Sequence, residues 1–341
     1  MKAILIQEFG DPEVLRWEEV PTPTPGPGEV LVRVHAVSVN RTLDLQVRQD
    51  GGNYGVVLPL VLGTDPSGVV VAVGPGVEQP RVHDRVTLFR GIRCGTCTPC
   101  LAGNEPQCRQ PRMLGVHCWG GYAEYLCVPA SNCIPIPNDL PFPEATVITR
   151  HFPLAFVEAH IAGLKAGDWV LVMGAAGGLG SCIIQVAKTF GAHIIAGAGS
   201  DERVAVGRDL GAQFDINYRR QEVEQEVKRI TQGHGVDVVF ENIGDPSLWS
   251  SIFNSLARGG RLVTVGAHGG GFVTLDVKRL YQYRLQVLSG LGVERREDLD
   301  RALQLAVTGK FRVLIDRVMP LYEAAAAHRL VAQNATLGKI V

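Results

Sequence analysis

Two stretches of this 341-residue chain place chemistry-bearing residue types at informative spacings. The first is Cys94-x2-Cys97-x2-Cys100-x7-Cys108. Four thiols on a short loop punctuated by Gly95, Pro99 and Gly103 suit one tetrahedral Zn²⁺. With every position taken by sulfur and none left for water, such a site is structural and folds its own lobe. Disulfides, unrelated thiols and an iron–sulfur cluster are the alternatives, and a cytoplasmic setting speaks against the disulfides. Cys118, Cys127, Cys133 and Cys182 fall in strand- or helix-like contexts and read as buried small residues.

The second stretch runs from Trp169 to Lys188. An aliphatic run, Trp169–Met173, breaks into Gly174-Ala175-Ala176-Gly177-Gly178-Leu179-Gly180, and apolar residues then recur at helical spacing: Ile183, Ile184, Val186 and Ala187. Strand, glycine turn and helix in that order form the first βα unit of a dinucleotide-binding fold. The glycines allow a sharp turn and let a pyrophosphate approach without Cβ clash. The helix start offers unpaired N–H groups and a positive dipole end. The alternative is a plain strand-to-helix turn.

The elements that must position these stretches follow from the pattern around them. Residues 1–90 are β-rich: Ala3–Ile6, Val30–Ala36, Gly68–Val73 and Arg85–Leu88 are short apolar or alternating runs. Turn-formers separate them, including the proline-rich Pro21–Gly28, which predicts a small barrel-like domain. Residues 91–112 form the polar cysteine lobe, strand character returns over 113–137, and a helix begins near Pro143. From Trp169 to about Gly290 strands and helices alternate. The predicted strands are His193–Ala198, Phe214–Tyr218, Val236–Glu241, Arg261–Gly266 and Gln286–Ser289, and the predicted helices are Glu202–Leu210, Glu222–Thr231 and Ser247–Ala257. Such alternation implies a parallel sheet covered on both faces. Two more helices, near Leu299–Thr308 and Tyr322–Leu330, and a last strand, Gly338–Val341, are expected to pack back on the first domain.

Composition narrows the class. Length allows two domains, and 46% hydrophobic residues with 40 glycines fit an α/β protein with many tight turns. A net charge of −1 gives no nucleic-acid or membrane footprint. No run of 18 apolar residues occurs, and MKAILIQEFG reads as a strand rather than a signal peptide, so the expected location is the cytoplasm.

With both motifs read, the chain resembles the medium-chain dehydrogenase/reductase superfamily along its whole length. Asp84-Arg85-Val86, Gly120-Gly121-Tyr122-Ala123-Glu124-Tyr125 and Gly163-Leu164-Lys165-Ala166-Gly167-Asp168 match that family's landmarks in order and spacing. The resemblance implies an α/β fold: a Rossmann doubly wound parallel sheet plus a GroES-like β-barrel domain carrying a structural zinc lobe. The expected domains are 1–146 GroES-like with the zinc lobe at 91–112, 147–290 Rossmann, and 291–341 returning to the first.

The departures from the family shape the expected function. Its alcohol dehydrogenases hold a catalytic zinc through a cysteine in an early loop, a histidine in a Gly-His-Glu turn and a cysteine just before the Rossmann domain. Here Asn40 stands at the first position, Thr64 of Gly63-Thr64-Asp65 at the second, and Thr149 falls near the third. His117 and His151 lie nearby in sequence as candidates for a second metal site. A site without those ligands resembles the zinc-free quinone oxidoreductase and enoyl reductase branch. Asn40 followed by Asp44 is similar to that branch's loop, with one more residue before the aspartate.

The cofactor follows in the same way. Ala198 stands where NAD-specific relatives carry a carboxylate for the ribose hydroxyls, followed by Gly199 and Ser200. Arg203 and Tyr218 match a basic residue and a tyrosine that hold a 2′-phosphate in the quinone oxidoreductase branch. The expected cofactor is therefore NADPH rather than NADH. The opposing reading makes Arg203 a solvated surface charge and leaves Asp201 to serve a ribose. Asn242, Ile243 and Gly244, with Val265 and Gly266, stand where the family lines its nicotinamide pocket.

The expected activity is hydride transfer from NADPH to a quinone or an α,β-unsaturated carbonyl. Asn40, Asp44 and Thr64 are the candidate catalytic residues, and Tyr54 or solvent the proton source. A zinc alcohol dehydrogenase with irregular ligands and a non-catalytic NADPH-binding sensor are the rivals. The resemblance also implies a homodimer or homotetramer, with Leu285–Ser289 as a candidate pairing edge.

Overall fold

The structure, a computed structural model, describes residues 1–104, 107–292 and 294–341. Residues 105 and 106 of the cysteine lobe and residue 293 of the expected return segment lie outside the described residues. The chain divides into two compact units, residues 1–150 with 315–341, and residues 151–314. The expected divisions were 146/147 and 290/291; residues 291–314, with the helix expected near Leu299–Thr308, belong to the second unit, and only 315–341 return to the first.

The first unit is built from short strands. β1 (Lys2–Ile6), β2 (Arg16–Glu19) and β4 (Leu60–Val61) form one antiparallel sheet in the order β2-β1-β4. β3 (Glu29–Ala36), β5 (Ser67–Val73), β6 (Arg85–Leu88), β9 (Tyr125–Pro129) and β10 (Cys133–Pro135) form a second, in the order β10-β6-β5-β3-β9. Val30, Val32, Val70, Val86, Leu126 and Val128 turn inward along the second sheet and make its core. Helix α1 (Gln46–Asp50) follows a single π turn, Arg41–Leu45, that the sequence pattern does not predict. The cysteine lobe holds the short pair β7 (Gly91–Ile92) and β8 (Arg112–Met113), with α2 (Thr98–Leu101) between them. Helix α3 (Phe142–Ile161) runs from this unit into the next.

The second unit is a six-stranded parallel sheet. Its strands are β11 (Trp169–Met173), β12 (His193–Ala198), β13 (Phe214–Asn217), β14 (Val236–Glu241), β15 (Leu256–Thr264) and β16 (Gln286–Ser289). Their order, β13-β12-β11-β14-β15-β16, is the doubly wound arrangement in which the first strand lies at the switch point. The connecting helices are α4 (Gly178–Thr189), α5 (Asp201–Asp209), α6 (Val223–Ile230), α7 (Pro246–Asn254) and α8 (Val277–Gln282), and α9 (Arg296–Val307) follows the last strand. Leu171, Ile195, Ile216, Val239, Phe253 and Leu262 pack on one side of the sheet.

The predicted boundaries shift at the junction of α7 and β15. The expected helix to Ala257 stops at Asn254, and the fifth strand begins five residues early, at Leu256. Gly259, at φ +80°, and Gly260 form an irregularity within the strand, where pairing jumps from Val236–Leu256 to Val238–Arg261. The two glycines thus serve a bulge, not a helix stop. After β17 (Ile315–Arg317) the chain forms α10 (Ala324–Ala332) and β18 (Lys339–Ile340), which pairs parallel with β17 in the first unit.

Candidate functional site

In the first unit, Asn40 and Thr64 meet. Asn40 Nδ2 donates to Thr64 Oγ1 at 3.2 Å and to Asp65 Oδ2 at 3.1 Å. Its Oδ1 accepts from Lys339 Nζ at 2.9 Å. An ammonium only donates, so this contact fixes which way the amide faces. Lys339 also donates to the Val39 carbonyl, and Asp65 accepts from Ser38 through both its backbone N–H and its hydroxyl. Asn40 is 4% exposed and Thr64 fully buried. Both amide protons of Asn40 are committed, which leaves the Thr64 hydroxyl proton as the donor without a partner among the described residues.

Asp44 joins the same group through the π turn. Asp44 and Leu45 both donate backbone N–H to the Asn40 carbonyl, at 2.9 and 3.4 Å. The wider turn absorbs the one extra residue between Asn40 and Asp44. The Asp44 carboxylate then accepts from the backbone N–H of Asn40 at 2.7 Å and of Gly63 at 3.2 Å, tying the two loops together. Burial and the charge of Asp65 push the Asp44 carboxyl up to about 7, against the pull of those two N–H groups and Lys339.

The other candidates around this group lie elsewhere. Thr149 shares a hydrogen bond with Thr87 Oγ1 at 2.8 Å and donates to the Ala145 carbonyl one turn back on α3. The His117 ring pairs with the Tyr54 carbonyl at 2.9 Å. Neither His117 nor His151 belongs to a metal-type cluster among the described residues.

Such a cluster does form in the cysteine lobe. The sulfurs of Cys94, Cys97, Cys100 and Cys108 all lie within 4.8 Å of one another, with Cys94–Cys100 at 3.9 Å and Cys97–Cys100 at 3.4 Å. Zn–S bonds of about 2.3 Å in a tetrahedron set sulfurs about 3.8 Å apart, so the four residues fit the ion. The backbone N–H groups of Thr96 and Cys97 pull the Cys94 thiol down to about 6, while burial and the Cys97 thiol push Cys100 up to about 12. A bound cation replaces this uneven sharing of protons with four thiolates.

In the second unit the glycine turn fits a pyrophosphate. Gly174 sits at φ +71°, and a Cβ on Gly180 would stand 2.3 Å from the Gly174 carbonyl oxygen. Gly177 begins α4 with no side chain to cap it, leaving the amides of the first turn to an anion. Ala175, Ala176, Gly178 and Leu179 complete the turn and the helix start. Asn242 Nδ2 donates to the Met173 carbonyl, while its Oδ1 is buried with no partner among the described residues, an acceptor suited to a bound amide or hydroxyl. Ile243 and Gly244 donate their N–H groups to the buried Glu241 carboxylate, and Val265 and Gly266 follow β15.

At the other side of the switch point, β12 ends on Ala198, and Ser200 caps α5 by accepting from the Arg203 N–H at 3.3 Å. Tyr218 follows β13, with its hydroxyl 3.0 Å from where a Cβ on Gly199 would stand. Burial pushes the Tyr218 phenol up, and the charges of Arg219 and Arg203 pull it down.

Comparison with known proteins gives a consistent answer. Residues 26–138 match the alcohol dehydrogenase GroES-like domain family, and residues 178–308 match the zinc-binding dehydrogenase family. The NAD-dependent alcohol dehydrogenase of Sulfolobus acidocaldarius is 35% identical over 330 residues, covering 95% of this chain and 94% of that protein. The chain belongs to the medium-chain dehydrogenase/reductase superfamily. A second member of the superfamily, the quinone oxidoreductase of Sus scrofa, is 29% identical over 351 residues, covering 100% of this chain and 97% of that protein. The crystal structure of an NAD-dependent alcohol dehydrogenase superposes with a TM-score of 0.91 at 37% identity, covering 100% of this chain and 98% of that one. As a member of the superfamily the protein is an oxidoreductase with a Rossmann unit and a GroES-like unit. No helix among the described residues is long and apolar enough to cross a membrane.

Sequence reasoning missed three members of the first-unit group. Asp65 stands beside Thr64 and was within reach of a closer reading of that turn. Ser38 and Lys339 carried no local signal: the return of the last strand to the first domain was expected, but not which residue of it meets Asn40.

Proposed function

We propose that the protein reduces quinones or α,β-unsaturated carbonyls with NADPH and without a catalytic zinc. The observation that supports this is the Asn40–Thr64–Asp65–Lys339 group. An amide and a hydroxyl stand where the resemblance expects a thiolate and an imidazole, and they are bonded to each other and to a cation. Amide, hydroxyl and ammonium are not the thiolate, imidazole or carboxylate ligands that Zn²⁺ takes, and the one carboxylate of the group, Asp65, is engaged by Ser38 and Asn40.

A bound nicotinamide supplies the hydride. The turn Gly174–Gly180 holds the pyrophosphate on backbone N–H groups, and Asn242, Ile243, Gly244, Val265 and Gly266 surround the nicotinamide. Ser200, Arg203 and Tyr218 receive the 2′-phosphate, with the Arg203 guanidinium as its charge-assisted partner. Asn40 and Asp44 fix the loops of the first-unit group, and the Thr64 hydroxyl donates to a substrate oxygen as charge develops there. Cys94, Cys97, Cys100 and Cys108 hold one structural Zn²⁺. The β16 edge pairs two copies into a homodimer or a dimer of dimers.

Alcohol oxidation is the second reading, favoured by the names of the relatives at 35% and 37% identity. One experiment separates the two. Zinc is counted by elemental analysis, and NADPH absorbance is followed with benzoquinone, menadione and cinnamaldehyde, beside NAD⁺ or NADP⁺ reduction with simple alcohols. One zinc per chain with quinone or enal turnover supports the proposal. Two zincs per chain with alcohol turnover would replace it. Tight NADPH binding with no turnover in any arm would leave a cofactor-binding sensor.

A further inference from the structure

β12 and β13 run parallel with Ala198 opposite Asn217, so the last residue of β13 lies beside the position that lacks a carboxylate. Two acidic side chains, Asp201 and Glu202, follow in the first turn of α5. Asp201 is engaged at both oxygens. Oδ1 accepts from Asn217 Nδ2 at 2.7 Å, and Oδ2 accepts from Arg220 at 2.5 Å.

Asn217 is well fixed for this role. It is 5% exposed, its backbone N–H donates to Gln221 Oε1 at 2.9 Å, and its Oδ1 accepts from the Arg219 N–H at 3.2 Å. Because a backbone N–H can only donate, Oδ1 must face it and Nδ2 must face Asp201. Arg220 is exposed and supplies the opposite charge. An exposed ion pair alone holds a side chain weakly, but here a buried amide sets the geometry and the guanidinium neutralises it. Arg219 and Arg203 pull down the phenol of nearby Tyr218, and Asp245 pushes it up.

We propose that Asn217 and Arg220 are specificity-determining residues. They engage and neutralise Asp201, so that this carboxylate neither opposes a 2′-phosphate nor stands free for ribose hydroxyls at the ribose end of the dinucleotide site. This rests on the NADPH reading above and adds to it the device that suppresses the competing carboxylate. Free Asp201 would accept ribose hydroxyls and repel a 2′-phosphate, the two effects by which a carboxylate selects NADH.

The test measures Kd for NADPH and NADH by cofactor fluorescence in wild type, Arg220→Ala, Asn217→Ser and the double variant, with melting curves to verify folding. Arg220 is at the surface, so its variant reads out even where Asn217→Ser unfolds. The NADPH:NADH affinity ratio is expected to fall several-fold in Arg220→Ala and at least about tenfold in the double variant. Adding Asp201→Asn to the double variant should restore it, and Asp201→Asn alone should leave it near the wild-type value. An unshifted ratio in Arg220→Ala and the double variant, or no recovery on adding Asp201→Asn, overturns the masking. Equal wild-type affinities overturn the NADPH reading instead, and a ratio that still moves toward NADH on unmasking would keep this inference standing.

Discussion

Glu158 offers the sharpest quantitative test. It sits on α3 in the second unit, 0% exposed, with neither carboxylate oxygen hydrogen-bonded among the described residues. A Cβ on Gly290 would stand 2.9 Å from its Cγ, so it is packed against the segment after β16. Burial alone raises its pKa well above the ordinary 4.5, and no neighbouring charge contributes. The folded protein therefore keeps a proton that the unfolded chain releases above pH 4.5. In that window stability falls as pH rises, by about 1.4 kcal/mol per unit, until the raised folded value is passed. Below pH 4.5 both states are protonated and the penalty vanishes. Glu158→Gln removes the ionisation and keeps the shape, so its advantage over wild type should be small at pH 4.5 and widen as pH rises, until the raised folded value is passed. Glu158→Leu should also recover part of the roughly 1–3 kcal/mol penalty of an unpaired buried polar group, at every pH. Urea unfolding would be followed by fluorescence with Trp17 and Trp119 replaced by Phe, leaving Trp169 and Trp249 in the second unit to report. A wild-type-minus-Gln difference that is flat between pH 4.5 and 6.5 would refute the reasoning, because it would mean that Glu158 ionises as readily folded as unfolded.

Three further outcomes are expected. Asp44→Leu should destabilise the first unit by roughly 1–3 kcal/mol near neutral pH, because the N–H groups of Asn40 and Gly63 lose their shared acceptor, and urea titration reads this directly. Stripping zinc, or Cys108→Ser, should speed hydrogen exchange across residues 91–112 while NADPH Kd stays unchanged; no protection change would refute a metal-built lobe. Arg203→Ala should weaken NADPH by about ten- to a hundred-fold and NADH far less, while Ala198→Asp should turn preference toward NADH, with isothermal titration as the measurement.

Legibility from sequence followed the range of the interactions. β11, β12 and β14 were readable because each is a largely buried run closed by a turn, and they begin and end where the pattern says, as does the more exposed edge strand β16. β15 was not, since Gly259-Gly260 looks like a helix stop and serves a bulge. The π turn at Arg41–Leu45 was invisible because an inserted residue leaves no composition signal, only a broken spacing. Asn40 and Thr64 could be chosen through the resemblance, but their bonding to each other and to Lys339 depends on a closure spanning 299 residues. Glu158 hid in a helix that also carries Glu144, Arg150 and His160, where an acidic residue gives no sign in the sequence that it is buried. Only the packing against Gly290 shows it.

The return of residues 315–341 to the first unit has a consequence for how the chain is made. Val39 donates its backbone N–H to the Ile340 carbonyl, Lys339 holds Asn40, and Ile340 joins a core with Ile4, Ile6, Leu60 and Leu62. On the ribosome the first 150 residues emerge early but must wait for the last 27 to close that core. The intervening 164 residues take on the order of ten to thirty seconds to synthesise, long enough for the second unit's local βα repeats to fold first. During that interval the seam that Ile340 will cover stays open, an aggregation hazard to a nascent chain that the finished enzyme does not share. Loss of the final three residues would remove Lys339 as well as Ile340, so a trimmed chain would forfeit the cation beside Asn40 and not merely a loose tail.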